Sequence, residues 1–160
     1  MGLFSKKKIE TTLTAPIDGQ LIPLEKVQDS VFSQKMMGDG FAVEPSDDKI
    51  VSPVSGTVES IFPTKHALMI QSKHGLEIML HLGIDTVELN GEPFEIVVKK
   101  GDQIEQGAAI GKMDIDAIKA KQKLPTVIVI VSNMDQVKNI SEVTPGQVSV
   151  GADVQTIQSK

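Results

Sequence analysis

Apolar residues in this chain fall in short runs, several alternating with polar ones and each soon broken by Gly or Pro, while helical periodicity is scarce. The runs predict strands at Thr11–Ala15, Gly19–Pro23, Phe41–Pro45, Lys49–Ser52, Gly56–Phe62, Phe94–Val98, Ala109–Met113, Thr126–Ser132 and Gly146–Val150. Two more, His66–Gln71 and Leu76–Leu82, face each other across Ser72-Lys73-His74-Gly75 as a hairpin. Turn signals at Pro16–Gly19, Gly38–Gly40, Pro45–Asp48, Pro53–Gly56, Asn90–Gly91 and Gly101–Asp102 are spaced as in an all-β sandwich or barrel. The clearest helix is Asp114–Lys123, capped by an aspartate, with Ile115 and Ile118 inward and Pro125 beyond its end. Helical turns are expected near Asp29–Gln34 and after Gly83.

Ala15-Pro16-Ile17-Asp18-Gly19 is echoed by Ser52-Pro53-Val54-Ser55-Gly56, and the stretch 100–107 by 144–151. These Gly-bounded hairpins resemble those of lipoyl and biotinyl carrier domains. The fold expected is therefore an antiparallel β-sandwich or barrel, a barrel-sandwich hybrid with one short helix. It should occupy residues 13–160 as a single domain behind a flexible segment, 1–12.

The hairpin brings chemistry into this picture. A two-residue loop at Lys73 and His74 would pair 70 with 77, 68 with 79 and 66 with 81. Two of the three histidines, His66 and His81, would then stand on one face, with Cβ atoms roughly 4.5–5.5 Å apart. Leu68, Ile70 and Met79, with Glu77 near the tip, would share that face. An imidazole in such apolar surroundings is poorly solvated when charged and stays neutral near pH 7. A carbonyl just past the bend at Gly83 could hold the Nδ1 proton of His81 and leave Nε2 free to attack. His66 could then donate to an oxyanion building on the neighbouring ring, with the Thr64 hydroxyl orienting it. Two other readings stay open: half-buried strand residues without chemistry, or the start of a zinc site. The third ligand of such a site is not obvious, with Glu77 or a partner's carboxylate as options. His74, in the turn, is expected to be exposed.

Composition narrows the classes. The 160 residues carry 40% hydrophobic content and a net charge of −5, with a pI near 5.2, which argues against nucleic acid and for basic partners. With no Trp or Tyr and five Phe, the chain is poorly equipped to stack bases or sugar rings. The absence of Cys removes disulfides, thiolate nucleophiles and Cys-ligated zinc, and fits a cytoplasmic setting. The longest aliphatic run, Val127 to Val131, is far short of the ~20 residues of a membrane helix. MGLFSKKK lacks a signal-peptide apolar region, and Lys6 stands where a myristoylation start needs Ser or Thr. Lys6, Lys7 and Lys8 form a short basic tail that could touch anionic lipid weakly, and a frayed terminus is expected there.

The stretches LHLGIDTVELNGEPF (80–94), PTKHA (63–67), MMGDGFAVEPSDDKIVSPVSGTV (36–58) and VSNMD (131–135) closely resemble the glucose-type enzyme IIA domain. That domain is a phosphocarrier of the bacterial phosphoenolpyruvate-dependent sugar phosphotransferase system. The resemblance runs from about Leu13 onward. It implies that His81 accepts a phosphoryl group on Nε2 from the carrier protein HPr and passes it to the cysteine of an enzyme IIB domain, separate or fused in an IICB permease. It implies further that His66 stabilises the group without carrying it, that Thr64 positions His66, and that the Gly83 carbonyl holds Nδ1 of His81. Asp39 and Asp85 match aspartates that rim the site and meet partner arginines, although turn chemistry beside glycine accounts for both equally well. An apolar apron of Phe41, Val43, Phe62, Leu68 and Met79 is expected around the histidines. No cofactor is implied beyond the covalent phosphoryl group. Regulatory binding of permeases or kinases is a further role of the family. Leu82 and Asn90 depart from the family's usual Phe and Lys without touching this chemistry. A competing class is a swinging-arm carrier modified at Lys73, but Lys73 lacks the Asp-Lys-Ala or Met-Lys-Met surroundings such ligases recognise.

Overall fold

A computed structural model of the chain describes residues 9–160. The 14 strands, all paired antiparallel, form one eight-stranded sheet and two of three strands. The large sheet contains β2 (Gly19–Pro23), β3 (Asp39–Pro45), β5 (Gly56–Ile61), β6 (Ala67–Ser72), β7 (Glu77–Ile84), β9 (Gln103–Ile104), β11 (Leu124–Val131) and β13 (Gly146–Val148), in the order β13-β2-β3-β11-β7-β6-β5-β9. One small sheet is β4 (Lys49–Val51), β10 (Ala109–Met113) and β8 (Phe94–Ile96), with β10 in the middle. The other joins β1 (Glu10–Thr14), β14 (Asp153–Ser159) and β12 (Val137–Ile140), with β14 central. The expected sandwich of antiparallel strands is present. β9, β12 and β14 were not anticipated. Glu10 to Thr12 belong to β1, so the boundary expected at residue 12 moves back into the segment. The basic tail lies outside the described residues.

The internal echo is structural. Ser52 N–H donates to the Ala108 carbonyl and Gly107 N–H to that of Ser52, while Ala15 N–H donates to the Ala152 carbonyl and Gly151 N–H to that of Ala15. The two copies also grip each other, Thr14 N–H on the Pro53 carbonyl and Val51 N–H on that of Pro16.

The central strands β3, β11 and β7 are buried on both faces, which explains the unbroken run Val127 to Val131. On one face Phe41, Val43, Ile78, Leu80, Leu82, Val127, Val129 and Val131 join the main core. On the other, Ala42, Met79, Ile84, Ile128 and Ile130 form a second cluster beneath Leu24, Val27 and Phe32. Phe32 belongs to the short helix α1 (Ser30–Ser33), capped by the Asp29 carboxylate accepting from Val31 N–H at 2.9 Å. Helix α2 (Ile115–Ala120) is shorter than expected but carries the foreseen cap, Asp114, and an inward Ile118. The helical turn after Gly83 is a 3-10 turn at Thr86–Leu89.

Candidate phosphoryl-transfer site

His81 lies on β7, opposite Ile128 on one side and Ala67 on the other, with its side chain on the second-cluster face. Its ring packs against Phe32 at 4.9 Å between centroids. The hairpin register differs from expectation by one residue, because the loop has three residues and Ser72 N–H closes onto the Leu76 carbonyl, with Gly75 at φ 85°. His66 is accordingly not opposite His81 in the ladder; its carbonyl accepts from Leu82 N–H. It sits in the loop joining β5 to β6, one residue before β6 begins, immediately after Lys65 in a left-handed conformation. That break in the extended chain lets the ring depart from strand alternation. The two imidazoles meet after all, 5.2 Å apart and nearly perpendicular.

Each ring has one nitrogen held. His81 Nδ1 lies 2.7 Å from the Gly83 carbonyl, so it carries the proton and leaves the lone pair on Nε2. His66 Nδ1 lies 2.5 Å from Thr64 Oγ1. A Thr64 hydroxyl donating there places the His66 proton on Nε2, as a hydrogen-bond donor. Burial pushes the His81 pKa down to about 4, with the neighbouring His66 adding to the effect, while the Gly83 carbonyl, Asp29 and Asp85 pull it back up. Burial also lowers the His66 pKa, and this side chain is only 6% exposed. Both rings are therefore neutral at pH 7: one a nucleophile, the other a donor.

The depressed pKa has a sign that can be measured. Between about pH 6.5 and pH 4 the unfolded chain holds a proton on residue 81 that the native chain refuses. Stability from this group is complete above pH 6.5 and drains away as pH falls toward 4, by roughly 3 kcal/mol in all. Denaturant midpoints measured across this window should decline toward acid in the native chain and decline much less in His81→Asn. An equal slope in both would contradict the burial argument.

Gly83 is required for its backbone. At φ 84°, an added Cβ would lie 2.4 Å from Thr86 Cγ2 and 2.9 Å from the Leu124 carbonyl oxygen. Thr86 cannot yield freely, being fully buried and bonded to the Leu82 carbonyl. Gly83→Ala should cost roughly 2–4 kcal/mol and move the carbonyl that orients His81. Thermal melts should drop, and the Nδ1–H tautomer signal of His81 in nitrogen NMR should weaken.

Other expected site residues are distributed differently. Phe62, 39% exposed, stands edge-on to His66 at 5.2 Å, and Met79 lies on the His81 face. Phe41, Val43 and Leu68 do not belong to the apron. All three are fully buried in the main core, on the opposite face of the sheet, where no partner reaches. Ile70 shares their position, while Glu77 keeps the His81 side of β7. Asp85 is exposed, left-handed at φ 60°, and near enough to act on His81. Asp39 instead binds its neighbour's N–H, at Gly40, and the Lys35 ammonium at 3.5 Å. Lys73 and His74 lie exposed at the hairpin tip.

Phe32 and Asp29 were not anticipated; the only signal was the aspartate-capped turn itself. That turn ends in a Schellman motif, with Lys35 left-handed at φ 58°, its N–H on the Phe32 carbonyl and Met36 N–H on that of Val31. Lys35 is steadied by Glu25 at 3.2 Å as well as by Asp39. Val31, Met36, Met37 and Val87 are all exposed, the first three on or just after the helix that supplies Phe32 and the last on the 3-10 turn that follows Gly83. Among the described residues no three metal-ligating side chains converge, and none of them joins His66 and His81 as a third ligand. No described helix is long and apolar enough to cross a membrane.

Known proteins are similar to this chain in sequence and fold. The chain is 46% identical to the glucose-specific EIICBA component of Streptococcus pneumoniae over 88% of its own length and 19% of that protein's. It thus spans about a fifth of such fused relatives. It is 42% identical to the glucose-specific EIIA component of Oceanobacillus iheyensis, covering 89% of this chain and 86% of the other. The solved structure of glucose permease IIA from Mycoplasma capricolum superposes with a TM-score of 0.84 at 37% identity, over 98% of this chain and 99% of that one. The swinging-arm reading of Lys73 loses its footing with these matches. Residues 11–137 match the family model of the phosphoenolpyruvate-dependent sugar phosphotransferase system, EIIA 1, and the chain belongs to that family.

Proposed function

We propose that the protein is a phosphocarrier in which His81 Nε2 takes a phosphoryl group from phosphorylated HPr and delivers it to the cysteine of an enzyme IIB domain. The observation that carries this is the 2.7 Å contact of His81 Nδ1 with the Gly83 carbonyl, which presents Nε2 as a lone pair. As the donor's P–N bond breaks, the new bond forms at Nε2, and the Nδ1 proton stays in place. The His81 ring then becomes cationic. The groups that favour a charged His81, namely the Gly83 carbonyl, Asp29 and Asp85, are therefore the ones that stabilise the cationic ring of the phosphorylated residue. His66 Nε2–H is available to a phosphoryl oxygen. In-line transfer of this kind needs positioning and charge relief more than covalent machinery.

Neither imidazole carries positive charge at pH 7, and the nearby carboxylates repel a phosphoryl dianion. Countercharge must come from the partner, which suits a basic donor and acceptor and a group that leaves easily. Relatives named as EIICBA components support an acceptor of the IIB type, and their glucose-specific names put glucose first among sugars to test. A cytoplasmic location follows from such a role. Incubation with phosphoenolpyruvate, enzyme I and HPr should place one acid-labile phosphoryl group on the chain, at Nε2 by phosphorus–nitrogen NMR correlation. An acid-stable label, or one at Nδ1, would refute the assignment.

A further inference from the structure

Of the seven methionines in the chain, Met36 and Met37 stand out among the described residues, at 70% and 39% exposure. Met79 and Met113 are almost wholly buried, at 5% and 1%. Met36 follows the left-handed Lys35, and its N–H is fixed on the Val31 carbonyl, the position at which a Schellman motif sets its two flanking apolar side chains together. The same short helix supplies Phe32, whose ring lies 4.9 Å from that of His81. Two accessible thioethers therefore follow directly on the helix that packs against His81. The chain has no cysteine to compete for an oxidant.

We propose that Met36 and Met37 are an oxidation site for a hydroperoxide, and that their sulfoxides slow phosphoryl entry at His81. The sulfur lone pair attacks the terminal peroxide oxygen, the O–O bond breaks, that oxygen remains on sulfur, and its proton passes to the other, which leaves as water from hydrogen peroxide or as an alcohol from an organic hydroperoxide. Sulfur is oxidised and the peroxide reduced. A flexible apolar contact becomes a polar one that a docking partner must desolvate. The nucleophile itself is untouched, so the rate of loading falls while its final extent does not. This inference rests on the phosphocarrier reading above.

The test is to expose the intact protein to hydrogen peroxide, follow each methionine by peptide mass, and measure labelling from limiting phosphorylated HPr. Among the described methionines Met36 should oxidise first and Met37 next, and the initial rate should fall about tenfold, the size of one lost interface contact, with the endpoint unchanged. A methionine sulfoxide reductase should restore the rate, and a Met36→Leu, Met37→Leu double variant should keep its rate through peroxide treatment. Oxidation at both residues without a change in rate overturns the proposal, as does an equal loss in the double variant. Untreated protein that takes no label would instead overturn the phosphocarrier reading itself, and the switch with it.

Discussion

His81→Ala is expected to take up no phosphoryl group from phosphorylated HPr, a loss on the order of 10⁴-fold or to background. His66 cannot substitute, because the Thr64 hydroxyl at 2.5 Å engages its Nδ1 and the remaining nitrogen is set as a donor, not a nucleophile. His74 cannot either, since it lies at the hairpin tip beyond a run of paired residues. The variant should remain folded, because the residue is only half-buried and its strand is held by Ile128 and Ala67 on either side. Measured label at wild-type rate would place the nucleophile elsewhere. A collapsed melting curve would show that the ring serves packing against Phe32 as well.

His66→Gln is expected to separate the two half-reactions. Entry uses a neutral imidazole lone pair attacking phosphorus, and that attack survives without help from residue 66. Exit to a IIB domain uses a thiolate, an anion approaching a dianion, where a donor to the phosphoryl oxygens matters most. The Gln amide can donate, but it has no ring nitrogen for the Thr64 hydroxyl to hold, and its reach differs. Labelling should therefore reach its full extent, while discharge to IIB falls roughly 10²–10³-fold. A variant that discharges normally would show that His66 only fills space, a role suited to its burial beneath Phe62.

Much of this was readable from short-range sequence, and the exceptions share a cause. The contacts of His81 with Gly83 and of Thr64 with His66 each span two residues, so chain chemistry alone suggests them. The hairpin register was missed by one because a three-residue turn with left-handed Gly75 resembles a two-residue turn in sequence. Phe41 and Val43 lie on the face away from the histidines because β3 is buried on both sides, and Leu68 does so because His66, two residues earlier, stands outside β6 and off its alternation. Alternation then tells which residues share a face, but not which face meets solvent. β14 escaped notice because its inward positions include Gln155, which is buried with its amide on the Ser141 carbonyl at 2.8 Å. Phe32 reaches His81 only through tertiary packing, which no local pattern announces.

The pairing of β1 with β14 sets Glu10 opposite Gln158, and Leu13 and Ile157 from these two strands are both fully buried in the main core. The core therefore draws on both extremes of the described chain. A nascent polypeptide cannot complete it until the last strand has cleared the ribosome, however early the histidine hairpin forms. Loop closure over such a separation makes folding slow compared with a helical domain of equal size. During synthesis, β1 must wait without any strand partner, which leaves an exposed strand that other chains could join before β14 arrives.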